Sequence, residues 1–245
     1  MNIAILQTAR AGSESVPNKN ILSFNGIPLF LHNILHAKKS KYKPPVYLST
    51  DILDIDHLAV EHEFTIIKRP ENLSGSSASH HDVMRHGIKK IEEIQNTTLD
   101  IIVVILGNTI SSWTEDIDKA IDLLHTKNNV DSVISVGKYN MFNPIRSLLI
   151  SDKGDLERAV NCDLSHSVIS TNTNDKDVIG DVYYLNGSLM VMRRSAVFSY
   201  SDKLPFSWLG DKTVPIIQDS VCMEIDAKWQ TCIIKNISED YPVEK

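Results

Sequence analysis

Cysteine is scarce in this chain: Cys162, Cys222 and Cys232 are the only three among 245 residues, and no two form a C-x-x-C pair. That spacing suggests neither a disulfide framework nor a structural zinc site, and a reducing compartment is the expected setting. Long apolar runs are missing too. No stretch approaches the roughly 18 consecutive apolar residues that a bilayer-spanning helix needs, and MNIAILQ enters a strand-like run without a basic leader. A cytoplasmic location and no membrane partner are therefore expected. Positive charge is not in excess, since 25 Lys and Arg face 31 Asp and Glu for a formal charge of -6. Such a balance argues against general nucleic-acid binding and leaves any anionic substrate dependent on a few local cations. The glycine fingerprints of P-loops and dinucleotide folds and the G-x-S-x-G elbow of α/β-hydrolases are all absent.

What is present is the alternation of an α/β domain. Strand-like runs near 2–7, 45–49 and 64–67 alternate with helical patterns near 28–39, 53–62 and 79–95, the order that builds βαβ units and a mainly parallel sheet. The segment Asp100–Leu106 is the clearest central strand, its six consecutive apolar and mostly β-branched residues suited to burial on both faces. A helix over 114–126 follows. Thr114, Glu115 and Asp116 open it, while Ile117, Ala120, Ile121 and Leu124 recur at helical spacing. After Val133–Val136 the pattern breaks into short apolar pieces around Asn143-Pro144, Asp152-Lys153-Gly154 and a polar run at 170–175. An inserted lobe at about 138–181 is expected. The chain returns through a strand at 182–192, an extended piece at 216–226 and a last segment near 227–238. One domain over 1–245 accounts for the length, with no internal repeat or low-complexity tract.

The chemistry begins where the first strand ends. Arg10, Gly12, Ser13, Lys19 and Asn20 occupy a small-residue turn at the expected carboxyl edge of the sheet, where open α/β sheets bind ligands. Gly12 and its neighbours permit close approach of backbone N–H groups to a phosphate, and Arg10 and Lys19 supply neutralising charge.

The order R-x-G-S-x-x-x-P-x-K-N after the first strand resembles the opening signature of the acylneuraminate cytidylyltransferases, the CMP-sialic acid synthetase family. Ser49-Thr50-Asp51, Arg69-Pro70-Glu71-Asn72-Leu73, the Ser77-Ala78-Ser79 turn, Asp131–Val136, Asn186-Gly187-Ser188 and Glu224-Ile225-Asp226 follow in that family's order, so the resemblance covers most of the chain. It implies a Rossmann-like nucleotidyltransferase fold whose inserted lobe dimerises over the partner's active site. It further implies coupling of CTP to the anomeric hydroxyl of a 2-keto sugar acid, with release of pyrophosphate and with Mg²⁺ as cofactor.

On this resemblance Arg10 and Lys19 hold phosphates and act in catalysis together with Asp226, Asn20 helps to read the cytosine edge, and Ser13, Arg69, Ser77 and Ser79 line the nucleotide pocket. Glu224 and Asp226 hold the metal. Their i, i+2 spacing on an extended segment places both carboxylates on one face, and Mg²⁺ takes hard oxygen ligands. Arg146, Asn186 and Gln218 are the sugar-acid candidates, a cation for the carboxylate and amides for the hydroxyls. His32 with His36, and His80-His81 with His86, lack the Glu or Cys that a metal site of that kind needs.

The chain also departs from the family pattern. Glu14 replaces a phosphate-binding lysine, Gly107–Trp113 replaces the usual Q-P-T-S-P-L-R, and no arginine precedes the Asn-Gly turn within 170–185. Trp229 stands where another acid is usual. Two classes follow, a sugar-acid nucleotidyltransferase and a non-catalytic relative that binds nucleotide or a protein partner.

Overall fold

The computed structural model describes residues 1–109, 114–144, 147–159, 180–199, 206–218, 222 and 224–232. In chain order they form β1 (Ile3–Ala9), β2 (Ser23–Phe24), β3 (Ile27–Pro28), α1 (Leu29–Lys38), β4 (Val46–Thr50), α2 (Asp56–Glu61), β5 (Thr65–Lys68), α3 (His80–Gln95), β6 (Ile101–Leu106) and α4 (Thr114–Thr126). There follow β7 (Ser132–Lys138), β8 (Leu148–Ile150), β9 (Leu156–Arg158), β10 (Tyr183–Arg193), α5 (Arg194–Phe198) and β11 (Thr213–Gln218).

Seven strands make one sheet in the order β11-β7-β10-β6-β1-β4-β5. All pairs are parallel except those of β10, which runs antiparallel between β6 and β7. β1 and β6 are buried throughout or nearly so because both faces of the sheet are covered. Ile5, Val103 and Ile105 join Phe30, Leu31 and Ile34 of α1 and Ile117, Ile121 and Leu124 of α4 in one apolar cluster. Ala4, Leu6, Ile102 and Val104 point the other way, onto Met84, Ile88 and Ile91 of α3. The period-two alternation of a strand thus feeds two cores from one apolar run. Each buried Leu or Ile removes enough apolar surface to contribute about 1.5–3 kcal/mol.

This topology places the site. From β1 the chain crosses to β4 on one side and later to β6 on the other, so the carboxyl ends of β1 and β6 diverge into a crevice at a topological switch point. Arg10, Asp51 and Asn108 all sit just past such ends.

The expected helices over 28–39, 79–95 and 114–126 are found within two residues of their bounds, and that over 53–62 forms as the shorter α2. Of the stretch 216–226, β11 carries the residues up to Gln218, 219–221 and 223 lie outside the described residues, and Glu224 makes an antiparallel bridge to Thr109. Within the expected lobe, β8 and β9 pair as a hairpin outside the main sheet, with Leu148, Leu149, Ile150 and Leu156 exposed. Arg146 lies outside the described residues, as do 160–179 and the end of the last segment.

Candidate active site

The loop after β1 is held by two hydrogen bonds. The backbone N–H of Ala11 donates to Asp51 Oδ1 at 2.7 Å, and Asn20 Nδ2 donates to the Arg10 carbonyl at 2.8 Å. Asn20 is buried, and its Oδ1 has no hydrogen-bond partner. A buried acceptor left without a partner costs about 1–3 kcal/mol, so Asn20 Oδ1 is suited to a donor brought by a ligand. Arg69 is clamped by its Nε to the carbonyl and hydroxyl of Ser49 at 3.1 and 3.0 Å, and by Nη2 to the same carbonyl at 2.9 Å. Burial pulls its pKa down to about 10 against the attraction of Asp51, and Arg10 lowers it further. Arg10, Lys19, Asn20 and Arg69 all line one cavity of about 320 Å³. Three cations facing one another there are stabilised by a polyanion in their midst.

Several serines fall elsewhere. Ser13 is half-buried and accepts the Val16 N–H at 3.4 Å, outside the cavity wall. Ser77 and Ser79 are exposed, whereas Gly75, Ser76 and Ala78 form the wall. Ser76 is thus the serine of this turn that borders the cavity. Ser79 starts α3 without a side-chain cap. Glu14 is exposed and does not line the cavity.

His80 is a wall residue that sequence reasoning weighed only as a metal ligand. Its Nε2 lies 3.1 Å from Thr8 Oγ1, and burial, reinforced by Arg69 and His81, drops its pKa to about 4. The ring is neutral at physiological pH and adds no charge. Its position at the first turn of a helix behind the Ser77-Ala78-Ser79 turn was the available signal. Beyond it the cavity becomes aromatic, with Phe206 stacked on Trp208 at a centroid distance of 4.4 Å. His32 is buried, with Nε2 2.5 Å from the Phe24 carbonyl.

The acidic edge is stitched to the loop after β6. The Ile225 N–H donates to the Asn108 carbonyl at 2.8 Å, which turns Glu224 and Asp226 to the same side. Asn108 Nδ2 points at both, 3.5 Å from Glu224 Oε2 and 3.3 Å from Asp226 Oδ1. Lys19 forms an ion pair with Asp226 and thereby ties the acidic edge to the phosphate-type loop. Burial, and next the neighbouring Asp226 charge, raise the pKa of Glu224. A divalent cation between the two carboxylates would offset both causes by supplying compensating positive charge, and Mg²⁺ commonly takes only one or two protein carboxylates. The pair therefore fits such an ion, although no cluster of three His, Cys, Asp or Glu side chains of metal-holding geometry occurs among the described residues.

Gly107 explains part of the altered loop. A Cβ there would lie 2.7 Å from Ala9 Cβ and 3.0 Å from Asn20 Oδ1, so in this chain the place of the family's glutamine is filled by the packed end of β1.

Behind Glu224 opens a second cavity of about 380 Å³, lined by Tyr139, Phe142, Tyr184, Asn186 and Trp229 and sharing Glu224 with the first. Asn186 reaches it, but its amide is engaged: Nδ2 donates to Gln218 Oε1 at 2.7 Å and Oδ1 accepts from Ser135 Oγ at 2.6 Å. Gln218 is buried, accepts also from Ser188 Oγ at 3.0 Å, donates to Asp116 Oδ2 at 2.8 Å, and lines neither cavity. Its expected contact with sugar is therefore corrected to an internal role, because both ends of its amide are spent within the protein.

Residues 3–153 match the family model described as cytidylyltransferase. Among curated proteins, the chain is 24% identical over 229 residues to post-translational flagellin modification protein B of Campylobacter coli, covering 93% of this chain and 91% of that one. It is 26% identical over 230 residues to CMP-N,N'-diacetyllegionaminic acid synthase of Legionella pneumophila, covering 92% and 90%. It is 23% identical over 188 residues to N-acylneuraminate cytidylyltransferase of Streptococcus agalactiae, covering 76% of this chain and 42% of that longer protein. Among solved structures, a CMP:2-keto-3-deoxy-manno-octonic acid synthetase complexed with CTP superposes with a TM-score of 0.66 at 13% identity, over 98% of this chain and 100% of that one. At that identity the likeness shows the fold, a nucleotidyltransferase of Rossmann-like type.

Proposed function

The chain belongs to the cytidylyltransferase family, and on that footing we propose that it transfers the cytidylyl group of CTP to the anomeric hydroxyl of a 2-keto sugar acid of the nonulosonic type. The bond formed joins the sugar oxygen to the α-phosphorus, and the bond broken releases pyrophosphate. The observation that carries this reading is the Lys19–Asp226 ion pair, which ties the triphosphate-type loop of the first cavity to a metal-type carboxylate pair, Glu224 lining both cavities and Asp226 the second.

Arg10, Lys19 and Arg69 neutralise the phosphates, and Arg69 does so from a fixed position because Ser49 holds its guanidinium. Asn20 Oδ1 offers its unpartnered acceptor to a donor on the nucleoside, the cytosine amino group in this reading. Glu224 and Asp226 hold Mg²⁺, which when bound withdraws charge from the phosphate oxygens. The second cavity, sharing Glu224 with the first, receives the sugar acid, with Asn186 in its wall. The exposed apolar hairpin β8–β9 supports a homodimer built through the inserted lobe. No helix among the described residues is long and apolar enough to cross a membrane, in keeping with the cytoplasmic location proposed here.

Pyrophosphate release tests the reading, with Mg²⁺ and each of the four nucleoside triphosphates against a panel of sialic, legionaminic, pseudaminic and octulosonic acids. Release with CTP and one of these acids is expected. Metal-dependent CTP binding without release from any pair would favour the non-catalytic alternative.

A further inference from the structure

A chain of buried hydrogen bonds runs from the first turn of α4 to the Asn186–Ser188 turn, which packs against the acidic edge, and its direction is fixed at one end. Asp116 is buried, and its carboxylate accepts from Gln218 Nε2 at 2.8 Å. An ionised carboxylate can only accept, so Gln218 must turn its NH₂ toward Asp116 and its oxygen the other way. That oxygen then receives Asn186 Nδ2 at 2.7 Å and Ser188 Oγ at 3.0 Å. Asn186, committed as a donor on that side, presents its own oxygen to Ser135 Oγ at 2.6 Å and to the Ser188 N–H at 3.3 Å. The last contact closes the turn over Asn186–Ser188, where the pairing of β10 with β7 loses its regular register. At its apex Gly187 has φ +70, and a Cβ there would collide with Glu224 Oε1 and lie 2.8 Å from its Cδ. The turn is thus the wall against which the Glu224 carboxylate rests.

We infer that Asp116, which touches neither cavity, is a positioning residue for the metal-type carboxylates: through Gln218 and Asn186 it sets the amide directions that hold Gly187 against Glu224. The inference rests on the reading of Glu224 and Asp226 as a divalent-cation site. Its distinguishing feature is polarity. Asp116→Asn preserves size, yet an amide at 116 lets Gln218 reverse and bring NH₂ against NH₂ at Asn186. The exchange D116N with Q218E restores an acceptor facing Asn186 and Ser188, now with the introduced amide at position 116 as donor, and so restores the direction of the chain.

The test is Mn²⁺ binding in the presence of CTP, read by electron paramagnetic resonance on the wild-type chain, D116N and the double variant, with metal-free CTP binding as a second readout. Loss of an outer partner of a metal ligand commonly weakens the metal about 10–100-fold. D116N is expected to weaken Mn²⁺ about tenfold at that lower bound and to leave metal-free CTP binding unchanged, and the double variant to recover most of the loss. Wild-type Mn²⁺ binding that D116N leaves unaltered would overturn the relay while leaving the proposed function intact, as would a D116N defect that Q218E fails to relieve. Absence of Mn²⁺ binding in the wild type would overturn the metal reading and the relay together. If D116N loses its native circular dichroism, Ser188→Ala decides, since it removes one donor to the same Gln218 oxygen; weakened Mn²⁺ binding supports the relay and unchanged binding overturns it.

Discussion

The two sides of the crevice are built by different means. On the β1–β4–β5 side, Arg10, Asp51 and Arg69 each follow directly on a strand end, and direct hydrogen bonds between neighbouring loops hold them: Arg10 by Asn20, the loop backbone by Asp51, Arg69 by Ser49. On the β7–β10–β11 side, the carboxylates sit on a segment whose described residues meet the loop after β6 through the Thr109–Glu224 bridge and the Asn108 amide, beside a bulged strand and the buried polar chain that begins on α4. Binding a polyanion tolerates the first arrangement because charge acts over distance. The metal site proposed for the second side demands its arrangement, because ligand geometry must be right within about 0.5 Å.

Substitutions can separate the two sides. Asp226→Asn removes a proposed metal ligand and the partner of Lys19 together, and turnover should fall about a hundredfold or more, the scale of losing one charge-stabilising group; metal-free CTP binding should persist, and a loss of both would show that the sides are not separable. Arg69→Ala should act in the opposite sense. Hydrogen bonds to charged groups contribute about 1.5–3 kcal/mol, so CTP affinity measured by calorimetry should drop about tenfold or more while Mn²⁺ binding without nucleotide stays the same. Gly187→Ala comes next. The strain of a left-handed alanine is about 1–2 kcal/mol, and the displaced Glu224 should weaken Mn²⁺ about tenfold, with metal-free CTP binding unaltered.

The pH response of stability sharpens the contrast further. His80 has its folded pKa lowered to about 4, below the ordinary 6.5. The unfolded chain therefore takes up a proton below 6.5 that the folded chain refuses until about 4. Its contribution is complete above that window and is lost as pH falls through it. Urea unfolding of His80→Gln should show a shallower fall over this range, with part of the slope retained by His32, whose pKa burial also lowers. An equal slope would place the titration elsewhere. The smallest effect belongs to Glu14→Lys: with Glu14 exposed and outside the cavity, triphosphate affinity should change less than about threefold, the range of an exposed charge, and a large gain would put Glu14 against the phosphates.

The same contrast explains what could be read in the sequence. The parallel sheet was legible because Ile3–Leu6 and Ile101–Leu106 are apolar runs buried on both faces. Arg10, Lys19, Asn20 and Arg69 were legible because each lies in a contiguous motif after a strand. Glu224 and Asp226 were legible as a spaced pair. Asn108, His80 and the relay through Asp116 were not, because their meaning arises from contacts between distant segments: Asn108 is 116 residues from Glu224, and Asp116 is 102 residues from Gln218. Gln218 was misread for the same reason. An amide beside a polar strand end resembles a ligand contact until the partners that consume it are placed. Ser77 and Ser79 are exposed and lie outside the cavity wall, where their neighbours Ser76 and Ala78 stand.

The most direct measurement is identification of the product after incubation with CTP, Mg²⁺ and the panel of sugar acids, by mass spectrometry with pyrophosphate counted in parallel. A CMP-sugar adduct formed in equal amount to pyrophosphate, and absent with Asp226→Asn, is the predicted result. CTP bound by the wild type with no adduct from any acid of the panel would contradict the account.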